Sequence, residues 1–342
     1  MSKRLSIYCK NLGEYLDVDG GETLQEIFGR IKDRIGFQPI CARVNNKTEG
    51  LQYAVFQPKQ VEFMSQYTNS GERVYIRSLC MMLYRAVVEC YPGARLRIEH
   101  SIAHGYYCRL HGDIDVDSTT VSNLRQAMLR MVERDIPFER KEKLTADVIQ
   151  IFESQGLNDK VKLLRSVPEL YTVYYRLDGI CDSYYGDLAP STGMLKTFDL
   201  IQYKEGFLLM GFDRAETNVP SRPIQQEKMY KAFTDYLAFN HIIGVRNVGE
   251  LNNAVKARRT ADLINVAEAL HEKYIGRISD EITKRYNEGG ARIVLIAGPS
   301  SSGKTTTTKR LAIQLMTNLL KPQMISLDDY FVNRDRTPLD EN

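Results

Sequence analysis

The first 65 residues alternate between apolar and polar positions in short runs, which predicts a small mixed domain. Alternating runs at 5–9 and 15–18 predict a β-hairpin. A capping box from Thr23 to Glu26 predicts the start of a helix, and strands at 40–45 and 61–64 follow it. The order strand, strand, helix, strand, strand predicts a β-grasp arrangement. The predicted buried face of the helix is Leu24, Ile27, Phe28 and Ile31.

Longer apolar stripes at helical spacing dominate residues 66–288. They predict a helix through 73–91, then a strand through 95–110. Ser118 or Thr119 is the predicted cap of a second helix, and Thr145 opens a third that Gly156 ends. Two further stripes predict a helical stretch after residue 216. They are Met229, Phe233 and Leu237, then Leu263, Val266, Leu270, Tyr274, Ile278 and Ile282.

The last pattern is a strand, a glycine-rich loop and a helix. The apolar, β-branched run 293–297 predicts a parallel strand buried on both faces, and 323–327 predicts a second one. The loop between the first strand and the helix matches G-x-x-x-x-G-K-S/T, a phosphate-binding pattern. The apolar residues of the helix are Leu311, Ala312, Leu315, Met316 and Leu319.

The residue types of this loop suit a nucleotide. Gly298 and Gly303 let the backbone wrap an anion, and the following helix directs its positive end at the same phosphates. Lys304 is predicted to act on the β- and γ-phosphates of ATP as a catalytic residue, and the Thr305 hydroxyl to bind Mg²⁺. The predicted nucleotide-binding residues are Gly298, Pro299, Ser300, Ser301, Ser302, Gly303, Lys304, Thr305 and Thr306.

A carboxylate follows the second predicted strand of this segment. Asp328 lies at the C-terminal end of that strand, where ligands bind in open α/β folds. A carboxylate there accepts the proton of an attacking hydroxyl and helps to order Mg²⁺. Asp328 is therefore the predicted catalytic base and, with Thr305, a predicted Mg²⁺ ligand. For Asp329 the alternative is to cap the next helix.

Composition adds few constraints. The 342 residues are 43% hydrophobic and 26% charged, and a net charge of +3 is too small to indicate nucleic-acid binding by itself. No apolar run suits a signal peptide or a bilayer span, so we expect a cytoplasmic protein without a membrane partner. The six cysteines contain no C-x-x-C pair, which predicts reduced thiols.

Two polar clusters have simpler explanations than a site. A strand would hold His100 and His104 about 13 Å apart at ~3.3 Å per residue, so these residues, with Cys108 and His111, are predicted to be strand-face polar groups. A basic cluster suggests RNA, but interleaved acidic residues favour a solvated helix face. This cluster is Arg125, Arg130, Arg134, Arg140, Lys141 and Lys143.

The first two regions resemble parts of threonyl-tRNA synthetases. Residues 42–47 and 61–64 are similar to the TGS domain of that family. The segments 102–107, 134–140 and 190–193 resemble the family's second additional domain, which edits mischarged tRNA. The resemblance implies a TGS-like β-grasp domain followed by an editing-like α+β domain.

The departures from that family concern its metal ligands. The family carries an H-x-x-x-H helix and a C-x-x-x-H segment, which cluster for editing and metal binding. The corresponding positions here are Arg77 and Met81, then Tyr184 and Leu188, although Asp182 and Gly186 remain. Met and Leu do not bind zinc. The resemblance thus implies a domain that has lost hydrolytic editing, and no zinc is expected.

The last segment resembles another family. Residues 298–306 together with 326–331 look like the uridine kinase and phosphoribulokinase family, and the full domain order resembles bacterial multidomain nucleoside kinases. The resemblance implies an enzyme that transfers the ATP γ-phosphate to the 5′-hydroxyl of a pyrimidine nucleoside such as uridine. In that family the first aspartate after the second strand is the base, a position held here by Asp328.

These patterns predict four regions. They are a TGS-like domain at 1–65, an editing-like domain at 66–215, a helical connector at 216–288, and the incomplete N-terminal part of an α/β P-loop kinase fold at 289–342. The expected partners are ATP and a nucleoside, and we expect a fragment of this kind to have little kinase activity alone. The alternative is a nucleotide-responsive RNA-binding or regulatory protein without kinase turnover.

Overall fold

The structure is a computed structural model that describes residues 4–332 and residue 336. It divides into two compact units, Met1–Asn253 and Ala254–Asn342. The N-terminal unit mixes helices and strands, and the described part of the C-terminal unit contains helices and turns. The fold is therefore a mixed α and β arrangement in more than one compact part.

The first part of the N-terminal unit is built from β1 (Arg4–Cys9), β2 (Glu14–Asp19), β3 (Glu22–Thr23), α1 (Leu24–Ile31), β4 (Cys41–Val44), β5 (Lys47–Gly50), β6 (Ala54–Val55) and β7 (Gln60–Met64). Five of these strands form a sheet in the order β2-β1-β7-β4-β5. The central pair β1 and β7 is parallel, and its neighbours are antiparallel. The predicted hairpin is confirmed in the pairing of β1 with β2.

The start of α1 follows the predicted capping box. The Thr23 backbone N–H donates to Glu26 Oε2 at 2.8 Å, and the Glu26 N–H donates to Thr23 Oγ1 at 3.3 Å. Two N–H groups that a helix leaves unpaired are thus satisfied by side chains. The four apolar residues predicted for its inner face are all buried: Leu24, Ile27, Phe28 and Ile31.

The second part of this unit consists of α2 (Asn69–Cys90), β8 (Arg95–Ile102), β9 (Gly105–His111), α3 (Ser118–Arg134), β10 (Glu139–Leu144), α4 (Thr145–Ser154), α5 (Asn158–Ser166), β11 (Tyr171–Leu177), β12 (Ile180–Asp182), β13 (Asp199–Tyr203), β14 (Gly206–Met210) and α6 (Glu227–Ile242). One antiparallel sheet has the order β13-β14-β9-β8, and a second has the order β10-β11-β12. Helices α2 and α3 pack on the inner face of the four-stranded sheet in the main core, for example through Leu79, Leu124 and Phe207.

The opposite face of the four-stranded sheet is partly covered by α6. Tyr230 and Phe233 of α6 pack against Tyr107 and Leu208 of the sheet. The Phe233 ring stacks on His100 with the ring centres 3.9 Å apart. The predicted stripe is correct for Phe233, whereas Met229 of the same stripe is exposed.

The predicted single strand 95–110 is wrong, because the chain turns back in its middle. Strands β8 and β9 form an antiparallel hairpin, and Ala103 and His104 make the turn with φ of 55° and 63°. Positive φ is uncommon for residues other than glycine, although histidine adopts it more often than alanine, and Ala-His is not one of the preferred hairpin turn pairs. The cap of α3 is also one residue earlier than predicted, since Asp117 accepts a hydrogen bond from the Thr120 N–H.

The helical stretch predicted after residue 216 is confirmed as helical. It contains α6, α7 (Val248–Lys256) and α8 (Thr260–Asn287), and the last helix of the chain is α9 (Lys304–Thr317). In the C-terminal unit Ile275 of α8 packs against Leu311 and Leu315 of α9. The predicted stripes are only partly buried, because Val266, Tyr274, Ile278, Met316 and Leu319 are exposed.

The two strands predicted at 293–297 and 323–327 are absent. Residues 293–297 and 323–326 lie outside any helix or strand, and Leu327 begins a short 3₁₀ turn. Leu295 is 88% and Leu327 76% exposed. A strand needs a neighbour that satisfies its backbone, and the described residues of the C-terminal unit contain no strand. The start of an α/β P-loop kinase fold is therefore not shown.

Candidate functional site

The glycine-rich loop of the C-terminal unit leads directly into α9. Ser301 has φ of 59° and Gly303 φ of 84°, so both lie in the left-handed region before the helix begins at Lys304. No side chain caps the N-terminus of α9. The first N–H groups of the helix are thus turned toward an exposed loop, which is the arrangement that binds anions at helix N-termini.

Lys304 folds back over the loop. Its ammonium group donates a hydrogen bond to the Pro299 carbonyl oxygen at 2.9 Å, and the Ser302 N–H donates to the same oxygen at 3.3 Å. At Gly298 an added Cβ would lie 2.7 Å from Ser302 Oγ, so a side chain there would require the Ser302 hydroxyl to move. The predicted loop residues are therefore brought together. The other predicted members, Ser300, Thr305 and Thr306, are exposed beside them.

The loop helix is anchored to α8 by polar contacts. Arg310 pairs with Glu272, and the Asn318 amide donates to Ser279 Oγ at 3.0 Å. Ser279 is completely buried. These contacts, with the apolar ones between α8 and α9, fix the direction in which the α9 N-terminus faces.

No hydrogen bond or ion pair joins Asp328 to the loop in the described chain. It lies in a short 3₁₀ turn, Leu327–Tyr330, and is exposed. Its backbone carbonyl accepts the Phe331 N–H at 3.3 Å, and the Asp329 N–H donates to Ser326 O at 3.3 Å. Asp329 therefore does not cap a following helix within the described residues.

A second candidate site is the cluster of positions where the resembled editing domain has metal ligands. Met81 of α2 and Leu188 are buried in the main core. Tyr184 packs against that core, with the Lys160 ammonium 5.2 Å from its ring centre. Burial raises the pKa of the Tyr184 hydroxyl well above its usual value, with Asp182 as a smaller cause. The fold thus brings these positions together, but as packing groups.

Arg77 at the remaining position binds backbone. Its Nε and Nη2 donate to the Asp187 carbonyl oxygen at 3.2 and 3.0 Å. Burial lowers the pKa of this guanidinium. Among the described residues no group of His, Cys, Asp and Glu side chains is arranged to hold a metal ion.

The Asp187 carboxylate accepts hydrogen bonds from two distant parts of the chain, which the sequence did not indicate. Its Oδ2 accepts the Gly50 N–H at 2.8 Å, and its Oδ1 accepts the Tyr175 hydroxyl at 2.6 Å. Nearby, the Gln52 side chain donates to Phe138 O and accepts the Arg140 N–H, so it pairs with β10 as a neighbouring strand would. A cavity of about 410 Å³ lies beside these groups, and Phe56 and Pro190 belong to its wall.

The four sulfur and imidazole groups at 100–111 do not form a metal site. His104 lies in the turn and is exposed, whereas Cys108 is buried in the main core. Burial lowers the pKa of His100 and of His111, and the Nε2 atoms of both rings are buried without a hydrogen-bond partner in the described structure.

The predicted basic cluster is largely neutralised. Arg125 pairs with Asp199 at 2.6 Å, Arg130 with Glu89 at 2.9 Å, and Arg134 with Asp178 at 3.4 Å. Lys141 pairs with Glu139 at 2.9 Å, whereas Arg140 lies 3.6 Å from Asp187. These pairs agree with a solvated surface, as the interleaved acids suggested.

Comparison with known proteins finds similarity to tRNA ligases. Threonine–tRNA ligases of Rubrobacter xylanophilus, Desulforamulus reducens and Carboxydothermus hydrogenoformans are each 26% identical to this chain, over 188, 182 and 180 residues. These stretches cover 55%, 53% and 52% of this chain but only 29%, 29% and 28% of the relatives. The chain thus spans less than a third of their length. No family model matches it.

These relatives contradict the predicted nucleoside kinase. They are named for joining threonine to tRNA, and they give no support to a uridine kinase or a phosphoribulokinase. The similarity falls in the N-terminal region, as the resemblance to threonyl-tRNA synthetases implied. The prediction of a nucleoside kinase is wrong. Asp328 therefore has no nucleoside phosphorylation to serve as the base.

No helix of the described chain is both long and apolar enough to cross a bilayer.

Proposed function

We propose that this chain is a nucleotide-responsive RNA-binding protein. In this proposal, the N-terminal unit binds RNA and the glycine-rich loop holds a nucleotide. The observation that carries it is the combination of similarity to threonine–tRNA ligases with the loss of ligand side chains. Arg77, Met81, Tyr184 and Leu188 pack or bind backbone, so they provide no ligand for a metal. A domain that keeps the fold of the editing domain but has no metal ligands can still bind RNA without catalysing hydrolysis.

The proposed nucleotide is ATP with Mg²⁺. The backbone N–H groups around Gly303 and at the N-terminus of α9 would donate hydrogen bonds to phosphate oxygens. Lys304 would exchange its bond to Pro299 O for the β- and γ-phosphates, and the exposed Thr305 hydroxyl would bind Mg²⁺. Gly303 is suited to its place because φ of 84° is costly for residues with a Cβ.

The test is to measure RNA affinity with and without the nucleotide. The full chain is titrated into a fluorescein-labelled RNA hairpin with an unpaired 3′ end, and fluorescence anisotropy is followed with and without ATP and Mg²⁺. We expect ATP to change the affinity, by roughly fivefold or more for a coupling free energy of ordinary size. Lys304→Ala should remove the ATP effect and leave the affinity without nucleotide unchanged.

A matched control comes from the same helix. Lys309 is an exposed lysine on α9, so Lys309→Ala removes the same charge without touching the loop. This variant should keep the response to ATP. The proposal is wrong if the unmodified chain does not bind the hairpin, or if Lys304→Ala and Lys309→Ala respond to ATP equally.

A further inference from the structure

The outer face of the four-stranded sheet is basic where α6 does not cover it. The inward residues of β8 and β9 pack in the main core, so alternation places their neighbours on the outer face. At the end of the hairpin away from its turn, these outer residues are Arg95, Arg97, Arg109 and His111, which we call the arginine patch. The inward residues are Leu96, Ile98, Cys108 and Leu110.

Two arginines of the patch face each other across this hairpin. Arg97 lies directly opposite Arg109, and Arg95 lies opposite His111. Directly opposed like charges destabilise an antiparallel pair, so this arrangement costs stability in the free protein. The acid that pairs with the patch is Glu99, whose Oε2 is 3.4 Å from Arg97 Nε. In the described structure the Arg95 and Arg109 side chains make no hydrogen bond or ion pair, unlike the arginines of α3.

His111 reports the positive potential at this place. Its pKa is lowered first by burial and then by Arg109. Glu99 raises it, and Arg97 and Arg95 are smaller causes that lower it. Its Nε2 atom is buried and has no partner among the described groups. A neutral imidazole adds no charge of its own beside the three guanidinium groups, of which Arg97 is paired with Glu99.

We propose that the arginine patch binds the phosphate backbone of RNA. A phosphate between Arg97 and Arg109 would turn their repulsion into two charge-assisted contacts, for which the planar guanidinium fork is suited. Arg97 is already oriented, because its Nη2 donates to Arg246 O at 3.0 Å. The inference rests on the proposed function, and it adds the place where the RNA lies.

RNA is favoured over an anionic membrane by the two strands that carry the patch. No large apolar side chain of β8 or β9 is exposed, so the strands offer nothing to insert between lipid chains. Phosphate contacts made without apolar anchors are typical of nucleic-acid backbones. The relatives' name, threonine–tRNA ligase, agrees with an RNA partner.

The test compares two double variants of the full chain. Arg95→Gln with Arg109→Gln removes two charges from the patch, and Arg130→Gln with Arg176→Gln removes two charges elsewhere in the same unit. Binding of the labelled RNA hairpin is measured between roughly 50 and 200 mM salt. The patch variant should bind roughly tenfold more weakly, and its slope of log affinity against log salt should fall by about 1.5, since each contact contributes roughly 0.7–0.9.

A stability measurement separates binding from folding. Arg109→Gln relieves repulsion, so its thermal midpoint without RNA should equal or exceed that of the unmodified chain. A lowered midpoint together with weaker binding would assign Arg109 a structural role and overturn the proposal. The control double variant should change the RNA affinity by less than about twofold, as expected for exposed charges away from the bound phosphates.

The remaining outcomes distinguish the patch from the function. If RNA binds and both double variants behave alike, the patch proposal is wrong and the proposed function stands. If the unmodified chain binds vesicles of anionic phospholipid through the patch but not the hairpin, the RNA partner is wrong. If it binds neither, the patch proposal and the RNA-binding part of the proposed function both fail.

Discussion

The two units use the same sequence signal with opposite results. The run at 61–64 in the N-terminal unit and the run at 293–297 in the C-terminal unit are both short and rich in apolar residues. In the first, Val61 and Phe63 are buried in β7 between two neighbouring strands. In the second, Ile293 is 81% and Leu295 88% exposed, and no strand forms. An apolar run therefore predicts a strand only where the chain also supplies its neighbours.

The difference between the units lies in what surrounds each run. Backbone N–H and C=O groups of β7 pair on both sides, with β1 and β4. Those partners come from distant positions in the sequence, and they also supply the apolar surface that β7 packs against. The C-terminal unit offers helices α8 and α9 for this purpose, and of the run 293–297 it is Ile296 that packs against their contact, without backbone pairing.

The largest expected effect contrasts the cores of the two units. Phe207 in β14 is fully buried, so Phe207→Ala should lower the free energy of unfolding of the N-terminal unit by about 3–5 kcal/mol. Leu295→Ala should change stability by less than about 0.5 kcal/mol, because that side chain is exposed. The chain has no tryptophan, so urea unfolding followed by circular dichroism is the suitable measurement. Equal losses in both variants would mean that 293–297 is a buried strand after all.

The next effect contrasts a partly buried, hydrogen-bonded carboxylate with an exposed one. Asp187→Ala leaves the Gly50 N–H and the Tyr175 hydroxyl without their acceptor, which should cost about 2 kcal/mol. Asp328→Ala removes an exposed carboxylate and should cost less than about 0.5 kcal/mol. Both are measured by the same urea titration. If Asp187→Ala leaves the free energy of unfolding unchanged, water replaces the lost acceptor.

How far the sequence predicted the molecule depends on the range of each interaction. The capping box of α1 and the hairpin of β1 with β2 were predicted because adjacent residues determine them. The hairpin of β8 with β9 was missed, since Ala103 and His104 carry no strong turn signal. Asp187 was missed because its partners are up to 137 residues away. The arginine patch was visible only in part, as basic residues alternating with apolar ones along 95–98.

A smaller effect contrasts the two helix N-termini. Thr23→Ala removes the side-chain cap of α1 and should lower the unfolding free energy by about 1 kcal/mol. Thr305→Ala lies in the first turn of α9, which has no side-chain cap, and should change stability by less than about 0.5 kcal/mol. Thermal unfolding of both variants tests this. A destabilising Thr305→Ala would reveal a structural contact of the loop and weaken its assignment to Mg²⁺.

The smallest expected effect is a pH dependence that belongs to the N-terminal unit. Burial lowers the pKa of His100, which stacks on Phe233 and lies near Tyr107 and Glu99. Between the lowered pKa and the ordinary value of about 6.5, the unfolded chain binds a proton that the folded chain does not. Stability therefore falls as the pH drops through this window and is independent of this group above it.

His100→Phe isolates that contribution. The ring stack on Phe233 is kept while the titrating group is removed, so stability measured at successive pH values should decline less steeply below pH ~6.5. His111, whose pKa is also lowered by burial, keeps part of the slope. An identical slope in His100→Phe and the unmodified chain would mean that His100 gains a partner for its proton when the pH falls.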